Sequence, residues 1–369
     1  MSFAASVLIA SKNRAHKLEQ TLDSLMHLKF RPGIRIEVLV VDNGSCDATR
    51  GVVEAAAAKV GRVRREAGLD AADLQALMRE SNAPLPPPGS RSQAGESRAE
   101  QGAQSEVAPQ SLAEHAPESA VEIVYLHEAT RGKSAALNTA IEHARSPLFL
   151  FTDDDCLPPA DWAQKAIDLF EREPDLMMMG GRVVLHDDAD ASLALVLNTS
   201  REALTLQNYT LHLPIIGANM AFRAGLCERI GYFDERLGPG SVDGAVAEDI
   251  DIAYRCILAG CRTIFEPDLE MPHHHERQTR EAIQKAEKGY FLGRGAFMVK
   301  HFKSHRHFRK SFFWEVRGMA NRLLGEKDAR RRSAFYFRYV MLGALRRLRP
   351  MEPHKFSRPP RSHQQDGRV

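Results

Sequence analysis

The chain has 369 residues, 43% hydrophobic and 27% charged, the composition of an ordinary soluble globular protein with length enough for one large core. Five cysteines, none in C-x-x-C spacing, exclude a disulfide-built scaffold and argue against a structural zinc knuckle, so free thiols in a reducing compartment are expected. The net charge of +2 hides an asymmetry: residues 277–369 carry 24 Lys and Arg against 7 Asp and Glu, leaving an acidic body ahead of a basic tail. No run of about 18 apolar residues occurs, so no transmembrane helix is expected, and the start lacks the features of a signal peptide.

In chain order, residues 6–10 are an apolar run of strand type, followed by a polar turn at Ser11–Arg14. Leu18, Leu22, Leu25 and Met26 recur at helical spacing, and a second apolar run at 36–41 ends in Asp42-Asn43-Gly44-Ser45. Strand, loop, helix, strand is a βαβ unit, and nearly continuous apolar strands predict a parallel sheet covered on both faces. Residues 61–120 lack periodicity and are rich in Pro, Ser, Gln and Glu. They read as a disordered insertion with a fraying helix near 66–80, a docking segment being the other reading. Order resumes with a strand at 121–125, a helix at 132–144 and a buried strand at 147–152 that ends in Asp153-Asp154-Asp155. An amphipathic helix follows around 162–170. Later come a helix at 250–259 stopped by Gly260, a short strand at 263–265 and, beyond 277, basic helices.

Three apolar strands thus stop in polar clusters, and ligands of parallel α/β sheets bind at the carboxyl ends of strands. The acidic run at 153–155 is the sharpest cluster: alternate carboxylates after a buried strand can share one hard divalent ion, and such crowding needs a cation to offset it. Glu248-Asp249 opens a helix, where the dipole favours anions, behind a glycine-rich loop at 237–244. His273-His274-His275 offers imidazole to an Mn²⁺-like ion. H-E-x-x-H, G-x-S-x-G and G-x-G-x-x-G are all missing from the sequence, which leaves zinc hydrolase, serine hydrolase and dinucleotide readings without support.

The ordered pieces resemble the family 2 glycosyltransferases. The resemblance rests on Ser-Val-Leu-Ile-Ala-Ser-Lys-Asn-Arg (6–14), Val-Leu-Val-Val-Asp-Asn-Gly-Ser (38–45), Arg-Gly-Lys-Ser-Ala-Ala-Leu-Asn (131–138) and Phe-Thr-Asp-Asp-Asp-Cys (151–156). It continues in Gly-Ala-Asn-Met-Ala-Phe (217–222), Gly-Tyr-Phe-Asp-Glu-Arg-Leu-Gly (231–238) and Glu-Asp-Ile-Asp-Ile-Ala-Tyr-Arg (248–255). It implies a GT-A-like α/β fold, a mixed, mostly parallel sheet flanked by helices, with a basic helical C-terminal extension. The expected domains are 1–60 with 121–276 as the catalytic domain, 61–120 as the insertion, and 277–369 as the extension with a disordered end.

The resemblance further implies inverting, metal-dependent transfer of a sugar from a nucleotide-diphosphate sugar to a glycan or lipid-linked saccharide of the cell envelope. Asp249 would be the base. Asp155, Asp153 and His273 would hold Mg²⁺ or Mn²⁺, the two aspartates forming the family's D-x-D, with Asp153 reaching the ribose or the metal. Asp42 would bind the nucleobase beside Ser11, Asn13 and Arg14, with Lys133 and Glu248 nearby. Gly217, Ala218 and Asn219 would line the sugar and acceptor pocket. Asn43 stands where the family often has Asp, so it would bond a base or sugar without charge. A sugar-1-phosphate nucleotidyltransferase is the first alternative, though Ser11–Arg14 lacks the glycines it would need; a non-catalytic nucleotide-sugar-binding protein is the second. The basic, aromatic stretch 301–349 either meets an anionic membrane or packs on the catalytic domain; nucleic acid is not an expected partner. The expected location is cytoplasmic, at the inner face of the cell membrane if the tail binds there.

Overall fold

The structure, a computed structural model, describes residues 3–60, 63–65, 120–209, 211–323 and 327–348. Strands β1 (Ala5–Ser11), β2 (Ile36–Asp42), β3 (Val63–Arg65), β4 (Val121–His127) and β5 (Leu148–Phe151) run parallel, in the order β3-β4-β2-β1-β5. Helices α1 (Ala15–Met26), α2 (Thr49–Lys59) and α3 (Lys133–His143) lie among them in sequence, and α4 (Trp162–Arg172) follows β5.

Side-chain alternation along each strand feeds two cores. Val7, Ile9, Val38, Val40 and Leu150 pack with Leu18, Leu22, Val53, Trp162 and Phe170 on one face. Leu8, Leu39, Val41, Phe149 and Phe151 pack with Leu137 and Ala140 on the other. Burial on both faces is why these strands read as unbroken apolar runs.

The sheet continues β5-β8-β6-β9-β7, with β6 (Leu176–Leu185), β7 (Glu202–Leu204), β8 (Met220–Arg223) and β9 (Arg262–His273). β8 runs antiparallel to β5 and β6, β9 parallel to β6, and β7 antiparallel to β9. The result is the expected mixed, mostly parallel sheet, of nine strands among the described residues. Sequence periodicity does not reveal β6, β7 and β8, and it shortens β9 to 263–265; in fact β9 runs to His273 through a register shift against β6 between Gly181 and Arg182. β3 pairs with β4 three residues inside the stretch expected as an insertion. The helix expected near 66–80 and the remainder of that stretch, to residue 119, lie outside the described residues, as does the chain after 348.

Helices α5 (Gly225–Ile230) and α6 (Glu248–Leu258) precede β9, and α7 (Arg280–His301), α8 (Arg306–Leu323) and α9 (Lys327–Arg347) form the basic extension. Thr279 caps α7, its Oγ1 accepting from the Ala282 N–H at 3.2 Å. The extension packs on the body: Leu292, Phe297, Phe308 and Val340 share a core with Leu237, Ala247 and Tyr254. α7 and α9 meet backbone to backbone at Gly295 and Gly343. A Cβ on either would fall about 2 Å from a carbonyl oxygen of the other helix, Val340 or Leu292 respectively.

Candidate active site

The register pairs Ser11 with Asp42 and sets Leu8 beside Phe151, so β1, β2 and β5 deliver their polar ends to one rim. There Ser11 Oγ donates to Asp154 Oδ2 at 2.7 Å, and Arg14 Nη1 bridges Asp154 at 2.9 Å and Asp155 at 2.7 Å. β9 ends beside the same rim: the His274 N–H donates to the Asp155 carbonyl, and His273 Nε2 lies 3.1 Å from Asp155 Oδ1 with both side chains buried. Burial pushes the Asp154 carboxyl up to about 6, against the pull of Arg14. The same burial acts on Asp155, but His273 and Arg14 outweigh it and hold its carboxyl well below the usual carboxylate range.

A second group stands across the cleft. Lys133, the first residue of α3, donates to Asp153 and lies 3.6 Å from Glu248. The Gly217 N–H, in a single 3₁₀ turn, donates to Asp249 Oδ2 at 3.0 Å. Glu248 and Asp249 head α6, whose N-terminal dipole favours their charge. Burial and the charge of Asp249 push Glu248 up to about 7, with Lys133 opposing. Burial likewise raises Asp249, offset by the Gly217 N–H and Lys133, although its carboxylate opens onto the cleft. Asp153, Lys133, Gly217, Ala218, Glu248, Asp249 and His273 all line one cleft of about 1260 Å³.

Residues 6–76 and 106–231, more than half of the chain, match the family model of glycosyl transferase family 2. The chain belongs to that family. A pre-mycofactocin glycosyltransferase of Mycobacterium tuberculosis, matched in two strains, is 28% identical over 189 residues, 49% of this chain. The chain covers 38% of the length of these curated relatives. The mannosyltransferase PcManGT from Pyrobaculum calidifontis, solved in complex with GDP-Man and Mn²⁺, is similar in fold, with a TM-score of 0.51 at 17% identity over 94% of this chain and 89% of that one.

Within this family 2 chain the predicted residues divide. Asp155 and His273 meet, and so do Lys133, Asp153, Glu248, Asp249 and Gly217. Asp153 does not join the buried donor group, whose three atoms within 4.8 Å of one another come from Asp155, Cys156 and His273; Lys133 holds it instead. Asn13 ties the two strand-end loops, its Oδ1 accepting from Cys46 N–H at 2.8 Å, and Asp42 accepts from Ser45 N–H and Tyr125 Oη. Two of the expected residues carry structural contacts. Asn43, expected on a base or sugar, gives Nδ2 to the carbonyls of Glu128 and Thr130 and takes the Gly132 N–H, so its amide pins the loop before α3. Asn219, expected in the pocket, is fully buried on Trp162 Nε1 and the carbonyls of Arg182 and Leu269, in space that Gly181 leaves by lacking a Cβ.

The donor set fits a divalent ion. Asp155 Oδ1 and His273 Nε2 are spaced as neighbouring ligands on a small ion are, about 3 Å. Cys156 is the weaker third candidate, because burial raises its thiol pKa well above the ordinary value and it sits in the apolar core. Sequence reasoning missed Arg277, which lines the cleft with Nη1 buried and without a hydrogen-bond partner. Its signal was only proximity, four residues after His273.

Proposed function

We propose that this chain is a metal-dependent, inverting glycosyltransferase that moves a sugar from a nucleotide-diphosphate sugar to a hydroxyl of a glycan or lipid-linked saccharide of the cell envelope. The reading rests on the convergence on one cleft of Lys133, Asp153, Asp249 and His273, the last paired with buried Asp155. Family membership supports the transfer, and the GDP-Man and Mn²⁺ bound to PcManGT support the donor class and an ion. Asp42, Ser11, Asn13 and Arg14 face the nucleoside, with Asp42 on the base.

Asp249 takes the proton of the acceptor hydroxyl as that oxygen bonds to the sugar C1. The bond from C1 to the diphosphate oxygen breaks with its electron pair on the diphosphate, and the anomeric configuration inverts. Asp249 suits this task because its raised pKa makes it a better proton acceptor than an ordinary carboxylate, and the Gly217 N–H fixes its orientation. Lys133 keeps Asp153 and Glu248 from repelling Asp249. Asp155 and His273 would hold Mg²⁺ or Mn²⁺, which when bound neutralises charge on the departing diphosphate.

Among the described residues no helix is long and apolar enough to cross a membrane. α8 exposes Phe313 (60%) and Trp314 (65%) near Arg309, Lys310 and Arg317, and α9 exposes Leu345 (57%) near Arg346. That mixture supports peripheral contact with an anionic membrane, at its cytoplasmic face. The test of function is nucleoside-diphosphate release from a panel of sugar nucleotides. Release by the natural chain, reduced at least a hundredfold by Asp249→Asn with unchanged Tm, is expected; full turnover by Asp249→Asn contradicts the base assignment.

A further inference from the structure

The cleft extends well past the acidic cluster, between the 194–197 loop, the 211–216 segment and helices α7 and α9. Its apolar wall there is made by Val196, Leu213, Ile216, Ile250, Tyr290 and Phe291. Leu213, Ile250 and Phe291 back onto core clusters while their outer faces stay open to the cleft, so packing holds the walls in place without a ligand.

Several polar side chains along this part of the cleft are already engaged with one another, while Arg280, Gln284 and Glu287 of α7 line it as well. Asn208 Nδ2 donates to Glu202 at 3.3 Å, Arg294 bonds His212 and the Leu211 carbonyl, and Tyr336 Oη donates to Glu315 at 2.7 Å. A polyhydroxylated group seated against Leu213, Ile216, Ile250 and Phe291 would lose water without matching partners, which is costly. An apolar body loses no hydrogen bonds there and gains burial.

Resting on the transferase reading above, we infer that the acceptor is an amphipathic alcohol: a hydroxyl that reaches Asp249, carried on an aliphatic or aromatic body seated in this chamber. Ile250 directly follows Asp249 in α6, so the apolar wall begins where the proton acceptor ends.

The test is calorimetric titration of octyl glucoside (below its micelle concentration), phenyl glucoside and glucose into the full chain, with and without a saturating nucleoside diphosphate. At least one glycoside should bind tenfold or more tighter than glucose. That binding should weaken at least tenfold in Leu213→Gln or Phe291→Gln and persist in Leu213→Met. The octyl and phenyl arms tell an alkyl body from an aromatic one. Equal binding of all three ligands, or glycoside binding that survives both Gln variants, overturns the inference. A chain that binds no nucleoside diphosphate contradicts the transferase reading instead, and the titration without nucleotide still decides the nature of the chamber.

Discussion

Arg277 carries a buried guanidinium N–H with no acceptor, facing a cleft whose proposed ligand bears a diphosphate. An unmet charged donor is expensive to bury and strong once matched. Arg277→Ala should therefore weaken binding of a nucleoside diphosphate by about tenfold, or about 1.4 kcal/mol, while leaving binding of the bare nucleoside unchanged. Calorimetry with both ligands checks this, and equal losses for the two would contradict it. Glu248 gives a pH signature. Its folded pKa, about 7 against an ordinary 4.5, means that the folded state holds the proton more tightly than the unfolded chain. Its contribution to stability is therefore present below pH 4.5 and lost as pH rises to about 7. Glu248→Gln should raise Tm above pH 7 and converge with the natural chain near pH 4.5; a constant offset across that range would contradict it. The carboxylates were legible in the sequence because charge at a strand end or helix start has few uses. The structural contacts of Asn43 and Asn219 were not legible, because an amide serves a loop carbonyl as well as a sugar and only the backbone around it decides.

At the level of elements, α6 is held from behind by the extension. Buried Asp251 accepts from His301 Nε2 at 2.7 Å, Lys300 at 2.8 Å and Arg255 at 2.9 Å, while Asp234 takes Lys300 and Arg347, each at 2.7 Å. Asp251 lies two residues after Asp249, so the pairing also seats the helix that carries the proposed base. Asp251→Ala leaves His301 and Arg255 without their anion and Lys300 with Asp234 alone, and should cost about 3 kcal/mol, measured by denaturant unfolding. A loss under about 1 kcal/mol would show that the network does not clamp α6. Gly343→Leu should separate α7 from α9, since even a Cβ there would fall about 2 Å from the Leu292 carbonyl. Lower Tm and weaker phenyl glucoside binding are the expected outcomes. The first βαβ units were plain in the sequence because both faces of those strands are apolar. β6 was hidden because Met-Met-Met-Gly-Gly-Arg carries no clear period, and β9 because Glu266, Pro267 and Asp268 sit at its register shift.

Across the molecule, the charge asymmetry resolves into an acidic body and a basic helical extension that walls its cleft. The sequence left two uses open for the extension, and the packing of Phe297, Phe308 and Val340 on Tyr254 accounts for its inner face only. Its outer face predicts binding to vesicles containing phosphatidylserine, reduced severalfold by Phe313→Ser with Trp314→Ser and by high salt; binding unaffected by both would contradict membrane contact. The nucleotide-sugar reading is tested most directly by a thermal-shift panel of UDP, GDP, CDP and dTDP, each with and without Mn²⁺, on the natural chain and on Asp155→Asn. At least one nucleotide should stabilise the natural chain more strongly with Mn²⁺, and Asp155→Asn should abolish that Mn²⁺ increment. No stabilisation by any nucleotide, or an Mn²⁺ increment that persists without the Asp155 carboxylate, would contradict it.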